Sequence, residues 1–334
     1  MLLILSDESD SSTNSVINWL NYFAVSYKRI NDTSRLSLEN LQLGNKDISW
    51  ELILQEAFST KTTKIKISEI TSFWYRRGEL TFDKYTFIGD NPKHKPIIDQ
   101  YRKHLFKQQS DIVNLLYNTL KKRKHIGCFY DNYTVKLYNL MVAMECGLNV
   151  PPSIVVTKKD DLLQFIKKYN QCITKGIQHN GFFIPGELDV SCNTKVIKAT
   201  DLEQVPSVFA PSLVQQYIDK SFELRIFYLD EKCYSAAIFS QQDEKTKIDF
   251  RNYNEERPNR IVPYLLPCDI ENKLTRFMKS INMKSGSIDL IVSQNMEYVF
   301  LEINPIGQFE WISSACNYQV EKLFATYFKN ALIQ

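Results

Sequence analysis

The chain has 334 residues, more than one ordinary core needs and enough for two or three lobes. Hydrophobic residues make up 44% and charged residues 24%, as in folded globular proteins, which excludes a disordered chain. The 41 basic and 38 acidic side chains leave a formal charge of +3, too little for an overall field that attracts nucleic acid.

Targeting and redox features point to the cytoplasm. The apolar opening Met1–Leu5 is cut short by Ser6-Asp7-Glu8, and no other apolar run reaches the roughly 18–20 residues that cross a bilayer. We therefore expect neither export nor membrane insertion. The seven cysteines stand singly, without a CxxC pair, which favours a reducing compartment.

The first part of the chain alternates strand and helix. Residues 2–5 form an apolar run typical of a buried strand, and the apolar residues of 16–23 recur at helical spacing. A second strand is predicted at 72–75, followed by a long amphipathic helix at about 101–120. We take residues 1–125 as a first lobe.

The rest of the chain is richer in strands. A helix over about 135–145 ends at Gly147, after which Pro151-Pro152 forces extended chain. The elements expected next are strands at 154–156, 172–175, 213–218, 223–229 and 233–239, and helices at about 270–281 and 320–332.

An acidic hairpin at residues 287–304 is the most informative stretch, with two apolar β runs around an Asn-containing turn. With Asn295-Met296 as the turn, the antiparallel ladder places Asp289 opposite Glu302. Asn304 lies two residues further, on the same face. Opposed carboxylates in apolar strands repel each other, so a cation is expected between them. The all-oxygen set suits Mg²⁺, and the alternative is neutralisation by Lys or Arg from another strand.

Two lysines occupy positions suited to phosphate binding. Lys175 ends a short strand and is followed by Gly176 and a polar loop, which presents an ammonium group together with backbone N–H groups. Lys136 lies in the first turn of a predicted helix, where a cation is unfavourable unless an anion shares the site. For both residues, a solvated surface lysine is the alternative.

Two strands carry further candidates. In residues 213–219 apolar side chains flank two glutamines, a pattern that can offer hydrogen bonds and an apolar wall to adenine. Arg225 alternates with Leu224 and Ile226, so its guanidinium points away from the apolar face, towards phosphate or the strand-borne acids. An ordinary strand and a structural salt bridge are the respective alternatives.

Taken in order, these elements resemble the ATP-grasp superfamily over essentially the whole chain. Residues 132–136 and 147–153 are similar to its lysine-bearing helix and to the entry to its central lobe. The resemblance implies the α/β (α+β) class and an ATP-grasp fold of three lobes, with ATP between the last two. The lobes would be a pre-ATP-grasp domain at 1–125, a central lobe at 126–212 and a C-terminal lobe at 213–334.

The resemblance also implies roles for individual residues. The ATP-binding set would be Lys136, Lys175, Gln216, Tyr217, Ile218, Glu223 and Arg225. Within it, Gln216–Ile218 would form the hinge between lobes and Glu223 would bind the ribose. Arg225 and Lys175 would be catalytic and act on the transferring phosphate. Asp289, Glu302 and Asn304 would hold Mg²⁺.

Two features depart from the family pattern. Gln216 stands where many relatives have an acid, and the loop after Lys175 is poor in glycine. The second departure concerns the loop that would cover the phosphates.

Three further segments narrow the resemblance. Residues 72–78, 249–251 and 302–311 are similar to the peptide maturases of microviridin-type and grasp-with-spasm clusters, the graspetide macrocyclases, and most of all to a chryseoviridin-like enzyme. The implied substrate is a ribosomal precursor peptide with a leader and an acidic, Thr-rich core. ATP would phosphorylate an Asp or Glu side chain, and a Thr or Ser hydroxyl or a Lys amine would then close an ω-ester or ω-amide ring. The substrate-binding candidates are Arg77, Asp249 and Arg251.

Other partners and functions stay open from the sequence. Residues 182–198 can offer a strand edge to the leader, and a hairpin packed on its own lobe is the alternative. A ligase that adds free amino acids to a protein tail or small acid would use the same ATP site. A regulatory nucleotide-binding module is the third option, and the complete acidic set argues against it. We expect no nucleic-acid or membrane partner, and a homodimer is compatible with the sequence.

Overall fold

The computed structural model describes residues 1–44, 48–57, 59–80, 82, 95–132, 135–178, 182–184, 188–190, 194–243, 246–248 and 254–331. The helices in this part are α1 (Ser11–Tyr22), α2 (Lys95–Lys121), α3 (Lys136–Glu145), α4 (Lys159–Tyr169), α5 (Ala199–Gln204), α6 (Cys268–Ser280), α7 (Glu310–Cys316) and α8 (Val320–Ala331). The strands are β1 (Leu2–Ser6), β2 (Tyr27–Asn31), β3 (Arg35–Leu43), β4 (Ile48–Gln55), β5 (Thr62–Lys66), β6 (Ser72–Tyr75), β7 (Lys124–Ile126), β8 (Ser153–Lys158), β9 (Cys172–Lys175), β10 (Phe182–Ile184), β11 (Leu188–Val190), β12 (Lys195–Val196), β13 (Val208–Gln216), β14 (Lys220–Leu229), β15 (Lys232–Phe239), β16 (Arg260–Tyr264), β17 (Ser285–Ser293) and β18 (Tyr298–Asn304).

Contacts between Cα atoms divide the chain into two compact units. Unit 1 comprises residues 1–132 and 319–334, and unit 2 comprises residues 133–318, within the described ranges. The division into three lobes stays a prediction. Among the residues that the structure describes, no helix is long and apolar enough to cross a membrane.

Unit 1 is built on a parallel sheet with the strand order β2-β1-β6-β7. The apolar side chains of β1 are all buried, as in parallel strands that are covered on both faces. Helix α8 contacts α1, and the ring of Phe324 lies 5.0 Å from that of Trp74 on β6. The strands predicted at 2–5 and 72–75 are confirmed, and the long helix predicted from residue 101 begins earlier, at Lys95.

A second sheet of unit 1, antiparallel with the order β3-β4-β5, is not predicted from the sequence. Strands β3 and β5 mix charged and polar side chains with apolar ones and are largely exposed or half-buried, whereas β4 is apolar at five of its eight positions. Leu36, Trp50 and Leu52 are among its buried side chains. Strands β3 and β5 give too weak an alternation for a prediction, but the buried residues of β4 do alternate, so the sequence carried a signal for β4 that was missed.

The smaller sheet of unit 2 has the order β12-β9-β13-β8 and packs against α4. Val156, Cys172 and Val214 form its buried core together with Leu162 of α4. Strand β9 matches the prediction at 172–175, whereas β13 ends at Gln216 and leaves the last residues of the predicted strand outside it.

The larger sheet of unit 2 is antiparallel, with the order β16-β15-β14-β17-β18. One of its faces is apolar and packs against α3 and α6; Leu224, Leu290 and Phe300 belong to this core, and Phe300 lies 4.8 Å from Phe277 of α6. Because side chains alternate along a strand, the intervening residues point to the other face. That second face carries the charged residues of the candidate site.

Candidate active site

A cleft in unit 2 collects most of the residues predicted to bind ATP and metal. From the predicted set it is lined by Lys136, Lys175, Gln216, Tyr217, Ile218, Glu223, Asp289 and Glu302. Ile173, Gln178, Gln215, Lys220, Ile291 and Leu301 line it as well and were not predicted as site residues. The cleft thus combines cations that can bind phosphate with apolar side chains that can contact a base.

The turn of the acidic hairpin differs from the prediction by one residue. The N–H of Ser293 donates to the carbonyl oxygen of Glu297 (2.9 Å), so three residues form the turn instead of two. Met296, the last of them, adopts the left-handed region with φ 62°. The predicted turn at Asn295-Met296 is therefore wrong by one residue, and this longer turn alone would have moved the ladder out of register.

A β-bulge at Leu301 restores the predicted pairing of the two acids. Leu290 pairs with Phe300, but the next residue of β17, Asp289, pairs with Glu302, so that Leu301 is the extra residue. Without the bulge Leu301 would occupy the face of Asp289, and Glu302 would point into the apolar core. Bulges commonly re-aim side chains in this way beside functional sites.

Each of the two opposed acids is paired with a cation. Nη1 of Arg225, on the neighbouring strand β14, lies 2.7 and 2.8 Å from the two carboxylate oxygens of Asp289. Nζ of Lys136 lies 3.2 Å from Oε2 of Glu302. All four side chains are at most 12% exposed, so these charges would be costly without partners. Neutralisation by Lys and Arg, the alternative to a metal ion, accounts for both acids here.

The donor set also fits a hard divalent cation. Asp289 and Glu302 share one face of the sheet with Asn304, whose Oδ1 accepts the backbone N–H of Ile306 at 3.1 Å. Carboxylate and amide oxygens are the ligands that Mg²⁺ prefers. Within the described ranges, no three His, Cys, Asp or Glu side chains come together as a metal-binding group, so this set of two acids and one amide is the candidate.

Lys136 is the first residue of helix α3, where a cation is unfavourable unless an anion lies close to it. That anion is the carboxylate of Glu302. Its Nζ also donates to the carbonyl oxygen of Gly176 (3.3 Å), directly after Lys175. Lys175 is partly buried at the end of β9, where it pairs with Leu213 of β13. The two lysines therefore approach the cleft from a helix N-terminus and from a strand end, as phosphate-binding lysines do.

The hinge segment is tied to its own sheet by its backbone. The N–H of Gln216 donates to Pro152 and that of Tyr217 to Gln171, each at 2.9 Å. These two groups are thus not available to the edge of an adenine. In the part of the chain that the structure describes, the N–H of Ile218 makes no such bond, which leaves it as the candidate donor in this segment.

A buried ion pair that the sequence analysis missed lies beside the predicted ribose site. Nζ of Lys220 donates to Oε1 of Glu223 (2.7 Å), and Oγ of Ser240 donates to the same oxygen (2.9 Å). Burial raises the pKa of the Glu223 carboxyl, and the contacts with Lys220 and Ser240 oppose that effect. The sequence signal was a lysine at the start of an apolar strand with a glutamate three residues later.

The loop after β18 packs tightly against Arg225. A Cβ on Gly307 would overlap the side chain of Ser287 and lie 3.1 Å from Nη2 of Arg225, so this position requires glycine. Asp289 holds the guanidinium of Arg225 through Nη1, whereas the Nε–H is buried and has no acceptor among the described residues.

Of the predicted substrate-binding residues, one is described by the structure. Arg77 lies in unit 1 after β6, with Nε 2.7 Å from Oδ2 of Asp10. Asp10 also caps α1 by accepting the N–H of Thr13 and pairs with Arg76. Burial works to raise the pKa of Asp10, but Arg76 and the Thr13 N–H outweigh it and hold the pKa below its usual value. Asp249 and Arg251 lie outside the described residues.

The chain has the ATP-grasp fold, which it shares with solved ATP-grasp ligases. No family model and no curated protein matches the sequence. Solved structures with the same fold are similar to this chain over nearly its whole length. The α/β ATP-grasp prediction is thereby confirmed.

Three solved structures are similar over nearly the whole chain. The macrocyclase MdnC of Microcystis aeruginosa MRC, bound with the precursor peptide MdnA, has a TM-score of 0.77 at 23% identity, covering 99% of this chain and 100% of its own. A RiPP-associated ATP-grasp ligase of Chryseobacterium gregarium, in complex with ADP and a leader and core peptide, has a TM-score of 0.78 at 22% identity, covering 99% and 96%. The ATP-grasp ligase PsnB, complexed with minimal precursor, Mg and ADP, has a TM-score of 0.70 at 14% identity, covering 99% and 96%.

Proposed function

We propose that this chain is an ATP- and Mg²⁺-dependent carboxylate ligase that acts on a ribosomal precursor peptide. It phosphorylates Asp or Glu side chains and closes ω-ester rings with Thr or Ser, or ω-amide rings with Lys. The observation that carries the proposal is the meeting of Lys136, Lys175 and the opposed acids Asp289 and Glu302 in one cleft. The fold shared with ligases that are bound to precursor peptides supports it.

The reaction has two balanced steps. First, a side-chain carboxylate oxygen attacks the γ-phosphorus of ATP. The bond between the γ-phosphorus and the β,γ-bridging oxygen breaks, and ADP leaves with the electron pair of that bond. The hydroxyl or amine then attacks the acyl carbon, phosphate leaves with the electron pair of the broken C–O bond, and the nucleophile loses its proton. The peptide loses one water for each ring, and ATP becomes ADP and phosphate.

Charge neutralisation is the main task of the protein, because the first step brings two anions together. Lys136 and Lys175 would bind the phosphates, and Arg225 would contact the transferring group. Asp289, Glu302 and Asn304 would hold Mg²⁺, which supplies positive charge to the phosphate oxygens when bound. No protein nucleophile is needed.

The existing ion pairs suit an exchange of partners. Arg225 binds Asp289 at 2.7 Å and Lys136 binds Glu302 at 3.2 Å; Lys136 and both acids line the cleft. Asp289 and Glu302 would hold Mg²⁺ through their carboxylate oxygens, and Arg225 and Lys136 would then be available to bind the phosphates. Each of these charges, at most 12% exposed, would then have a partner both before and after the ligands bind.

The precursor peptide would have two binding regions, one for its core and one for its leader. Arg77, Asp249 and Arg251 are the candidates for binding the acidic, Thr-rich core. The two arginines suit its carboxylates, because arginine pairs with carboxylates in two-point geometry. The leader would add to the antiparallel hairpin of β10 and β11 as a further strand, because the hairpin gives a strand edge.

The cysteines of the described residues are free thiols, which supports a location in the cytoplasm.

The test is the mass of the product. A short peptide encoded beside the gene, rich in Thr and Asp or Glu, is incubated with the protein, ATP and Mg²⁺, and we expect it to become lighter by whole water masses. A gain of one amino-acid mass would instead identify a ligase for free amino acids. An unchanged peptide with ATP hydrolysed at full rate in its absence would refute the macrocyclase.

A further inference from the structure

Lys220 lies at the start of β14 and is only 2% exposed. Nζ contacts Oε1 of Glu223 at 2.7 Å and the carbonyl oxygen of Ile248 at 3.0 Å. Burying a lysine costs several kcal/mol unless it is paired, and here the paired group is the carboxylate of Glu223. That partner lines the same cleft as Lys136 and Asp289.

A second β-bulge places this lysine in the site. Residues three apart on a regular strand point to opposite faces, so Lys220 and Glu223 would not meet. Phe222 pairs with Val292 of β17 and Lys220 pairs with Ser293, which makes Ser221 an extra residue. The bulge turns Lys220 onto the face that carries Glu223 and the acids of the hairpin.

The contacts leave one carboxylate oxygen of Glu223 for a ligand. Oε1 accepts both Nζ of Lys220 and Oγ of Ser240, which fixes the rotation of the carboxyl group. Among the described residues no donor contacts Oε2, and Glu223 lines the cleft. A carboxylate oxygen that is held in a fixed orientation and accepts no hydrogen bond from the protein is suited to accept one from a ligand hydroxyl.

We propose that Lys220 is a positioning residue that holds Glu223 ionised and aimed at a ribose hydroxyl, and so makes the site select ribonucleoside over deoxyribonucleoside triphosphates. The inference rests on the proposed function, because the cleft must bind ATP with its sugar at Glu223. Lys220 itself contacts no ligand and acts through the carboxylate.

Electrostatics explain why the position needs a cation. The groups that face Glu223 are Lys220 on its own strand, Ser240 after β15 and, further off, Asp289 on β17. Burial and the negative charge of Asp289 both raise the pKa of Glu223, and Lys220 is the one cation among these groups. Without it the carboxyl would take up a proton at higher pH, and its ability to accept a hydroxyl would be lost as the pH falls through the raised pKa.

The experiment compares nucleotides and not peptides. The affinities of the full chain for Mg²⁺ complexes of ATP, 2′-deoxy-ATP and 3′-deoxy-ATP are measured by calorimetry between pH 6 and 9 for the wild type, Lys220→Met and Lys220→Arg. One hydrogen bond to a charged acceptor corresponds to about 10- to 100-fold in affinity. We expect the wild type to prefer ATP by this factor over at least one deoxy analogue. Lys220→Met should lose the preference at low pH and regain it as the pH rises, and Lys220→Arg should keep it.

A double variant covers the case in which Lys220→Met does not fold. Lys220→Met with Glu223→Gln removes both charges of this ion pair, and it should bind ATP and the deoxy analogues equally at every pH. Full preference for ATP in Lys220→Met, or an equal loss of all three nucleotides at every pH, would overturn the positioning role. A wild type that binds ATP without any ribose preference refutes this inference alone, whereas a wild type that binds no nucleotide refutes the proposed function.

Discussion

Replacing Asp289 by Asn should destabilise the protein, although it removes one of two opposed acids. The loss of like-charge repulsion between Asp289 and Glu302 alone would favour the variant. However, Asp289 is the carboxylate that accepts both short contacts from Nη1 of Arg225, and the two side chains are only 11% and 10% exposed. Breaking a buried pair leaves an uncompensated charge and typically costs about 3–5 kcal/mol. Because both groups keep some access to water, we expect the low end, about 3 kcal/mol.

Glu302→Gln is the matched control. Its partner Lys136 keeps the carbonyl oxygen of Gly176, so we expect a cost of only about 1 kcal/mol. Hydrogen exchange of β14 and β17, followed by mass spectrometry, reports the local stability, and both variants should also lose ATP turnover at saturating Mg²⁺. The double variant Arg225→Met with Asp289→Leu should regain most of the stability, because no charge is left unpaired. An Asp289→Asn protein at least as stable as the wild type would falsify the assignment of Arg225 as the partner that matters.

Three further predictions test other parts of the site. Lys136→Ala and Lys175→Ala should each weaken binding of Mg²⁺-ATP about 10- to 100-fold in calorimetry, and wild-type affinity in both would make them surface lysines. Gly307→Ala should lower the free energy of unfolding by about 1–3 kcal/mol and reduce ATP turnover, because its Cβ would overlap Ser287 beside the guanidinium of Arg225; unchanged melting and turnover would mean that the loop moves freely. Arg251→Lys should reduce ring formation, measured by peptide mass, far more than it reduces nucleotide affinity, and equal losses in both would place Arg251 at the ATP instead.

The opposition of the two hairpin acids could be predicted, but for a reason that was only partly right. Counting from a two-residue turn placed Asp289 across from Glu302, whereas the real turn has three residues and Leu301 forms a bulge. The two deviations cancel. Apolar alternation determines which faces of a strand are buried, but it does not show where one residue is extra, because a bulge depends on the partner strand.

The same limit explains why Lys220 was missed. Its spacing of three from Glu223 puts the two on opposite faces of an ideal strand, and only the bulge at Ser221 brings them together. The cation partners of the acids were left open for a related reason, since Arg225 and Lys136 come from separate elements whose packing depends on the tertiary fold. By contrast, the first and last residues of the short strands β6 and β9 were predicted correctly.

The chain path has a consequence for how the molecule is made. Unit 2 is one continuous stretch inserted between the two segments of unit 1, and the second of these segments is the helix α8. Trp74 of β6 packs on Phe324 and Phe328 of that helix. A ribosome therefore completes unit 2 while unit 1 still lacks the helix that contacts Trp74. Because domains tend to fold as their chain emerges, we expect unit 1, whose synthesis begins first, to complete its folding after unit 2.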